Sequence, residues 1–500
     1  MNQPNFKKVP LESVKCKLKE QIKVTSKTQV KVEEIKSVIS ISCFSDVYSF
    51  NVSEGRATYK GKAIFFIAYE DLEGEIKKCE TFSEFDGVLE TDAIIESGSI
   101  NATSIAYKTD ADLTGINLCA IASITIDATI YEQKEYECLE SGDDIVCDLT
   151  ENTFLISHGK KELVHPLTEE FTLSYKVKEV LGQNAICVVT NAQCGVGTII
   201  VDGEVYLSAI LLQSNEKKDI IKENKVLPFR IEIDFEDAMP TYRAVCSCKV
   251  RAFKTDVSVD DEKSTVNCVV TLKLCGEAFS ESTFNLSHDV FSKTEELEVK
   301  KDTFTLRSRL EDRCVRKEVT ARACVEESLE SAVVLGSFFE RVEIISKQKV
   351  DKTVNVNGVL SVNCLLKKED GCIKTLPLDF PLDLTFIAEG EDYDEFELYT
   401  IVNKSSVKIT GANELELSAE VTFKLSPYKT QTVDYVKEVI ALNEKTLDDF
   451  AISVIIPYKN EDLWSLSKRL NLAPEEILAS NKELTFPLSG EERIVIYRQK

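Results

Sequence analysis

Apolar and polar residues alternate with a period of two along most of the chain, from about residue 20 to about residue 440. The alternating segments are short and rich in β-branched residues, as strands with one buried face require. The pattern therefore predicts a mainly all-β protein. The longest apolar run, 63–69, is far shorter than the roughly 18 residues that a membrane-spanning helix needs, so no transmembrane segment is expected.

Three segments share one order: a strand, a glycine, a second apolar strand and an acidic turn. The glycines are Gly61, Gly203 and Gly358, which lie 142 and 155 residues apart. Because that period has the length of a domain, we predict three related β-sandwich-like or barrel-like modules. Their predicted bounds are 1–136, 137–285 and 286–440. The acidic turns, predicted to be solvated loops, are Glu70-Asp71, Asn215-Glu216 and Glu369-Asp370.

Each repeated glycine stands between two alternating runs. Glycine in such a position predicts a bulge, or a close approach of another part of the backbone. An aromatic residue follows each one, at Phe85, Phe229 and Phe380. The repeat is therefore predicted to have a structural role.

The last fifty residues follow a different pattern. A short strand at 452–456 precedes an apolar stripe of Leu463, Leu466 and Leu470, which fits one helical face with Asp462 as its N-cap. Pro474 begins a second helix, and a strand at 493–497 closes a βααβ unit. The only tryptophan, Trp464, lies in the first helix and is expected to fill the small core.

This tail, 452–500, resembles a LysM domain through the order and spacing of the residues from Tyr458 to Asn481. The resemblance implies a shallow groove that binds N-acetylglucosamine-containing glycans, between the loop before the first helix and the loop after the second. The groove would comprise Asn460, Glu461, Asp462, Leu463, Asn481, Lys482, Glu483 and Leu484.

The first loop departs from the family pattern, because Asn460-Glu461-Asp462 replaces the usual Gly-Asp-Thr. The change removes a glycine and adds a carboxylate, which favours a protein partner over a glycan. The exposed positions expected to contact such a partner are Asp462, Ser465, Lys468, Arg469, Asn481 and Lys482.

Three β modules followed by one LysM domain are similar to a bacterial family of clostridial-type spore-coat morphogenetic proteins. The resemblance covers nearly the whole chain and depends on the repeated module core and the domain order. It implies a protein of the mother-cell cytoplasm, peripheral at the forespore surface, whose LysM domain binds the coat-basement ATPase, stage IV sporulation protein A. The N-terminus has no apolar signal-peptide core, which agrees with that location.

Charge and composition exclude several other functions. Sixty Lys and Arg against 85 Asp and Glu give a net charge of −25, which repels nucleic acid and anionic lipid. No catalytic motif and no cofactor-binding motif is present, and the three histidines, at 158, 165 and 288, show no metal-ligand spacing. No catalytic, cofactor-binding or metal-binding residue is therefore predicted, and the chain is expected not to be an enzyme.

The 16 cysteines lie within apolar strand-like runs and are interpreted as reduced, buried small hydrophobes. A zinc site at Cys246, Cys248, Cys268 and Cys275 is the first alternative, although their CxC spacing is unusual for zinc. Oxidative cross-linking in a late assembly is the second.

Two functions follow as hypotheses. The first is a structural and interaction protein of the spore coat, docking through its tail, with possible self-association through edge strands of the β modules. The second is a peptidoglycan-binding protein of the cortex or cell wall that uses the same tail. A hydrolase of wall polymers is a third, for which the sequence offers no candidate residue.

Restoring Gly-Asp-Thr at 460–462 distinguishes the first two hypotheses. If the native loop has lost its sugar site, a larger fraction of the variant protein than of the native protein should sediment with purified peptidoglycan. Co-sedimentation of both proteins with peptidoglycan is the measurement. Strong, unchanged binding by the native protein would contradict the protein-docking hypothesis.

Overall fold

A computed structural model describes residues 4–53, 56–91, 98–215, 219–259, 263–390, 392–446 and 452–497. Antiparallel strands make up most of these residues, which confirms the mainly β fold. No helix in these ranges is long and apolar enough to span a membrane. Glu216, in the second predicted acidic turn, lies outside the described residues.

The first repeat contains six strands in two sheets, with the orders β1-β6-β5 and β2-β3-β4. Alternate residues of both sheets, among them Phe65 and Ile124, belong to one hydrophobic cluster, so the sheets form two layers around a core. The strands are β1 (Pro4–Lys31), β2 (Ile35–Ser53), β3 (Arg56–Asp71), β4 (Ile76–Glu90), β5 (Gly98–Asp112) and β6 (Asn117–Gly142).

The second repeat has the same topology, with sheets β7-β12-β11 and β8-β9-β10 around a second core. Its first strand again pairs with its last, so the two ends of the module are hydrogen-bonded to each other. The strands are β7 (Ile145–Leu173), β8 (Val177–Cys194), β9 (Thr198–Gln213), β10 (Ile220–Asp234), β11 (Arg243–Val259) and β12 (Ser264–Ser292).

The third repeat differs only in its first strand, which is divided in two at 310–312. Both pieces pair with β19, and β15-β16-β17 forms the second sheet. The strands are β13 (Glu295–Arg309), β14 (Arg313–Cys324), β15 (Val333–Val350), β16 (Thr353–Lys367), β17 (Ile373–Ile387), β18 (Glu395–Ile409) and β19 (Glu414–Glu444).

The repeated glycines let a bent strand approach the middle strand of one sheet in each module, and in the first two modules a large side chain approaches there as well. A Cβ on Gly203 would lie 2.3 Å from the ring of Phe229 and 2.5 Å from the carbonyl oxygen of Val188. Gly61 faces Phe85 in the same way. In all three modules the neighbouring strand has a register shift beside the glycine, which agrees with the predicted bulge.

In the third module the aromatic residue is displaced. Leu382 lies opposite Gly358, whereas Phe380 lies opposite Leu360. A Cβ on Gly358 would instead lie 2.3 Å from the carbonyl oxygen of Glu343, so the close approach of the backbone is retained without the ring. Backbone approach is therefore the feature that all three glycines share.

The three modules close into a ring, because the fourth strand of each contacts the second strand of the next. Lys78 on β4 is 3.8 Å from Glu179 on β8, and Lys222 on β10 pairs with Glu340 on β15. The ring closes where Thr375 on β17 donates to the carbonyl oxygen of Ile39 on β2. A hydrophobic cluster with members from all three modules lies at these junctions.

The first and last strands of each module extend beyond their sheets as a two-stranded arm. The arms meet in a common core, to which Val9, Phe154 and Phe304 contribute one side chain from each module. A second layer, of Leu139, Val290 and Val436, continues it toward the tips. We refer to these three packed arms as the stalk and to the three modules above them as the head.

Charged side chains fill the space where stalk and head join. Lys160 Nζ lies 2.7 Å from Glu12 Oε1 and 3.5 Å from Glu277 Oε2, so the first and second modules share this contact. Burial raises the pKa of Glu277 to about 7. Burial alone would also raise the pKa of Asp312, but Arg309 and Lys424 lower it to about 2.

Replacing Gly203 with Ala is expected to destabilise the second module by about 1–3 kcal/mol, because the new methyl group overpacks against Phe229 and a backbone oxygen. Differential scanning calorimetry measures the change. Gly115→Ala is the matched control, since its Cβ would meet nothing closer than 3.7 Å. Equal thermal stability of both variants would contradict the structural role of the glycine.

Candidate docking site

The tail folds as a small separate unit of two strands and two helices. Its elements are β20 (Ile452–Ile455), α1 (Leu463–Leu470), α2 (Pro474–Ser480) and β21 (Ile494–Tyr497), and β20 pairs antiparallel with β21. The core contains Leu466, Leu470, Ile477, Leu488, Ile494 and Ile496.

Asp462 begins α1 as its N-cap, as the sequence predicts. Its carboxylate accepts hydrogen bonds from the backbone N–H of Ser465 at 2.7 Å and from the Ser465 hydroxyl at 3.0 Å. These contacts satisfy a donor that the first helical turn leaves without a partner. Both side chains remain exposed, so they are available at the rim of the predicted groove.

Glu461 holds the loop before α1 against the helix. Arg469 donates to both carboxylate oxygens of Glu461 at 2.8 Å, and the backbone N–H of Tyr458 donates to the same carboxylate at 2.9 Å. Hydrogen bonding from Arg469 lowers the pKa of Glu461. A test of the glycan hypothesis should therefore keep Glu461 and combine Asn460→Gly with Asp462→Thr.

Asn481, another predicted contact residue, connects elements of the tail. Its amide donates to the carbonyl oxygens of Ile477 at 2.8 Å and Val495 at 2.7 Å, and its oxygen accepts from the N–H of Val495 at 2.8 Å. These bonds fix the end of α2 against β21, so the three hydrogen bonds of this amide are all internal to the tail.

The two loops of the predicted groove are both anchored on the tail core. Leu463 and Leu484 both pack against the tail's hydrophobic cluster. The N–H of Asn460 donates to the carbonyl oxygen of Leu488 at 2.7 Å, which ties the first loop to the segment after the second. Asn460, Lys482 and Glu483 are exposed there.

Trp464 joins the tail to the stalk. Its indole N–H donates to Asp289 Oδ2 on β12 at 2.8 Å, and its ring centroid is 5.2 Å from that of Phe291. The expectation that Trp464 fills the tail's own core was wrong, because the leucines of α1 already fill it. Trp464 points away from them, toward β12.

Two lysines also contact the carboxylate of Asp289. Lys468 of α1 and Lys301 of β13 each place Nζ 3.0 Å from its carboxylate. Burial alone would raise the pKa of Asp289, but hydrogen bonds from Trp464 and the two lysines hold it well below its usual range. Lys468, which the sequence predicted to contact a partner, therefore holds the tail against the stalk.

Two more contacts fix the tail at the stalk tip. Lys293 Nζ lies 2.9 Å from Glu476 at the start of α2. Lys445 Nζ bridges the side-chain oxygen of Asn471 at 2.5 Å and the carbonyl oxygen of Ser292 at 2.7 Å. Both helices of the tail are thus connected to residues beside the tip of the second arm.

The outer face of the tail's two-stranded sheet is apolar and exposed. Ile452 and Val454 are 61% and 60% exposed, and Tyr497, opposite Ile452 in the register, is 58% exposed. Ile456 and Tyr458, in the segment that follows β20, are each 66% exposed. Sequence reasoning missed this face, although the alternation within β20 already assigns Ile455 to the core and its neighbours to the surface.

The cysteines do not form the alternative zinc site. Cys275 and Cys268 lie seven positions apart on β12, about 23 Å in an extended strand, so they cannot share one ion with Cys246 and Cys248. Cys248 lies beside Cys187, and that contact together with burial raises the pKa of the Cys248 thiol. No group of three or more potential metal ligands occurs in the part of the chain that the structure describes.

No protein-family model, no curated protein and no solved structure matches this chain. The geometry of the tail and its exposed sheet face therefore provide the structural basis for a functional proposal.

Replacing Asp289 with Asn should loosen the seat of Trp464 on the stalk, because the amide no longer neutralises Lys468 and Lys301. Trp464 is the only tryptophan, so its fluorescence emission reports docking and is expected to shift to longer wavelength. Asp148→Asn, a neighbouring carboxylate that pairs with His288, is the matched control and should leave the emission unchanged.

The pH dependence of the same emission follows from the lowered pKa. Docking stabilises the charged form of Asp289, so the contribution of Asp289 to the free energy of docking is complete above the ordinary aspartate pKa. That contribution is lost as the pH falls through the lowered pKa of the docked protein. The emission should therefore stay constant from neutral pH down to that ordinary pKa. A shift already present at mildly acidic pH would contradict this mechanism.

Proposed function

We propose that this chain is a non-enzymatic structural and interaction protein of bacterial spore-coat assembly. Its C-terminal unit acts as a LysM domain that docks on the coat-basement ATPase, stage IV sporulation protein A, at the forespore surface on the mother-cell side. The partner's identity comes from the sequence resemblance of the module order and of the tail.

The observation that carries the docking proposal is the exposed apolar face of β20 and β21. Apolar side chains at Ile452, Val454 and Tyr497 are neighbours on one side of a two-stranded sheet and more than half exposed. A contiguous exposed apolar surface of this kind is typical of a protein interface. Sugar-binding sites, by contrast, need several directed polar groups, and these three side chains provide only the Tyr497 hydroxyl.

The way the tail is held also supports a docking role. Trp464 and Lys468 bind Asp289, and Glu476 binds Lys293, so α1 and α2 are occupied by the stalk. Those contacts leave the apolar face of the sheet exposed. The head and stalk would therefore act as an acidic spacer that presents the tail in a defined orientation.

Val454→Glu is expected to abolish capture of purified stage IV sporulation protein A by the full chain, because it places a charge in the middle of the apolar face. A pull-down between the two purified proteins is the measurement. Leu478→Glu, on the exposed surface of α2, is the matched control and should bind like the native protein.

Co-sedimentation with purified peptidoglycan tests the alternative in parallel. Capture of the ATPase without glycan sedimentation supports the docking function. Glycan sedimentation that persists in Val454→Glu, with no capture of the ATPase by the native protein, would replace the proposal with a wall-binding function.

A further inference from the structure

The third module lacks the aromatic side chain that covers the repeated glycine in the other two modules. The rings of Phe85 and Phe229 each come within 2.3 Å of the position that a Cβ on the opposite glycine would occupy. The equivalent residue of the third module is Leu382, which lies opposite Gly358. A leucine side chain is thus present where the other modules have a phenyl ring.

Other side chains of the third module do not take the place of that ring. The atoms nearest to a Cβ on Gly358 would all belong to the backbone of residues 343 and 344, the third of them at 3.4 Å, so no side chain comes closer. Phe380 lies opposite Leu360 instead and is fully buried there. Its ring is therefore committed to another part of the core.

A crevice of about 680 Å³ opens at this place. Gly358 and Leu382 line it, together with Val319 and Ala321 of β14 and Leu384 of β17. Ala321 and Leu384 pack against the hydrophobic core of the module, yet both remain partly exposed. The core of the third module is therefore accessible to solvent through the crevice.

The entrance of the crevice lies between the edges of the two sheets of the module. Consecutive residues of β14 and β17, 318–322 and 381–384, line it. Among the described residues, β14 pairs only with β19 and β17 only with β16. In the first module the corresponding edges are joined, because the Ser26 hydroxyl donates to the carbonyl oxygen of Phe82 at 2.8 Å.

An aromatic ring is the occupant that the repeat indicates. In two of the three modules a phenyl ring already fills the space over the glycine. The inner walls at this place are apolar, since Val319 and Leu382 are only 6% and 3% exposed. Apolar cavities bind aromatic molecules, because a planar ring buries a large apolar area against their walls. The space over Gly358 therefore suits a ring supplied from outside the chain.

The charges at the entrance favour a ring that carries a cation. Glu318 and Asp383 line the crevice, and neither has an ion-pair partner among the described residues. Arg322, the one cation among the described lining residues, is already paired, with Nη2 2.8 Å from Glu416. The entrance therefore keeps a negative charge, which attracts cationic molecules and repels anionic ones.

We propose that this crevice of the third module binds a small aromatic amine. The ring of the amine takes the place over Gly358 that a phenylalanine side chain fills in the other two modules. The ammonium group of the ligand lies at the entrance, close to Glu318 and Asp383. The site is independent of the tail and of the docking function proposed for it.

Binding of para-fluorobenzylamine to the full chain, followed by the broadening of its fluorine NMR signal, tests the proposal. Leu382→Phe is expected to weaken binding by about tenfold, because it supplies the missing ring from within the chain. The first two modules carry phenylalanine at this position, so the fold accommodates it. Val226→Phe, at a 46%-exposed side chain on the fourth strand of the second module, is the matched control and should bind like the native protein.

Hydrogen exchange on the native protein provides a second measurement that does not depend on any variant. The bound amine should slow amide exchange in 318–322 and 381–384, because it shields these strand edges from water. No binding by the native protein, unchanged affinity in Leu382→Phe, or protection confined to other segments would each overturn the proposal. Equal binding of para-fluorophenylacetate, which has the same ring but a negative charge, would overturn it as well.

Discussion

The structure depends on burying the apolar faces of three two-stranded arms against one another. An isolated two-stranded ribbon is at best marginally stable, and each arm extends beyond the sheet to which its strands belong. Val9, Phe154 and Phe304 have no sheet of their own module to cover them and are buried only where all three arms meet. Stalk formation therefore requires all three modules, which in turn brings the second and fourth strands of successive modules into contact as a ring.

Each of the three modules contributes different charged residues to the junction of stalk and head. Glu12 comes from the first module, Lys160 and Glu277 from the second, and Arg309 with Asp312 from the third. The ion pair between Lys160 and Glu12 joins the first two modules. Three identical modules would place like charges together at this buried position. The differences between the modules therefore favour one order of modules around the ring. Buried ion pairs of this kind contribute more to the specificity of that arrangement than to its stability.

The period-two pattern predicted the strands, and the glycine spacing predicted the repeated bulges, because both are local consequences of backbone geometry. The ring and the stalk could not be predicted, since residues such as Phe154 and Phe304 have the same alternation whether they face a sheet or another arm. At the tail, Asp462 was predicted as a cap from local spacing alone. The roles of Trp464 and Lys468 depend on Asp289, which lies 175 and 179 residues away in sequence.

Every module enters and leaves the head through the stalk, so the connections between modules meet at one tip. The N–H of Lys293 donates to the carbonyl oxygen of Asp144 at 3.0 Å, and the N–H of Lys445 donates to that of Thr294 at 2.7 Å. The chain is thus equivalent to three subunits tethered at a single point, and the tether gives each a high effective concentration for the others. Assembly of the head is consequently a unimolecular event whose yield does not depend on protein concentration, unlike that of a trimer built from separate chains.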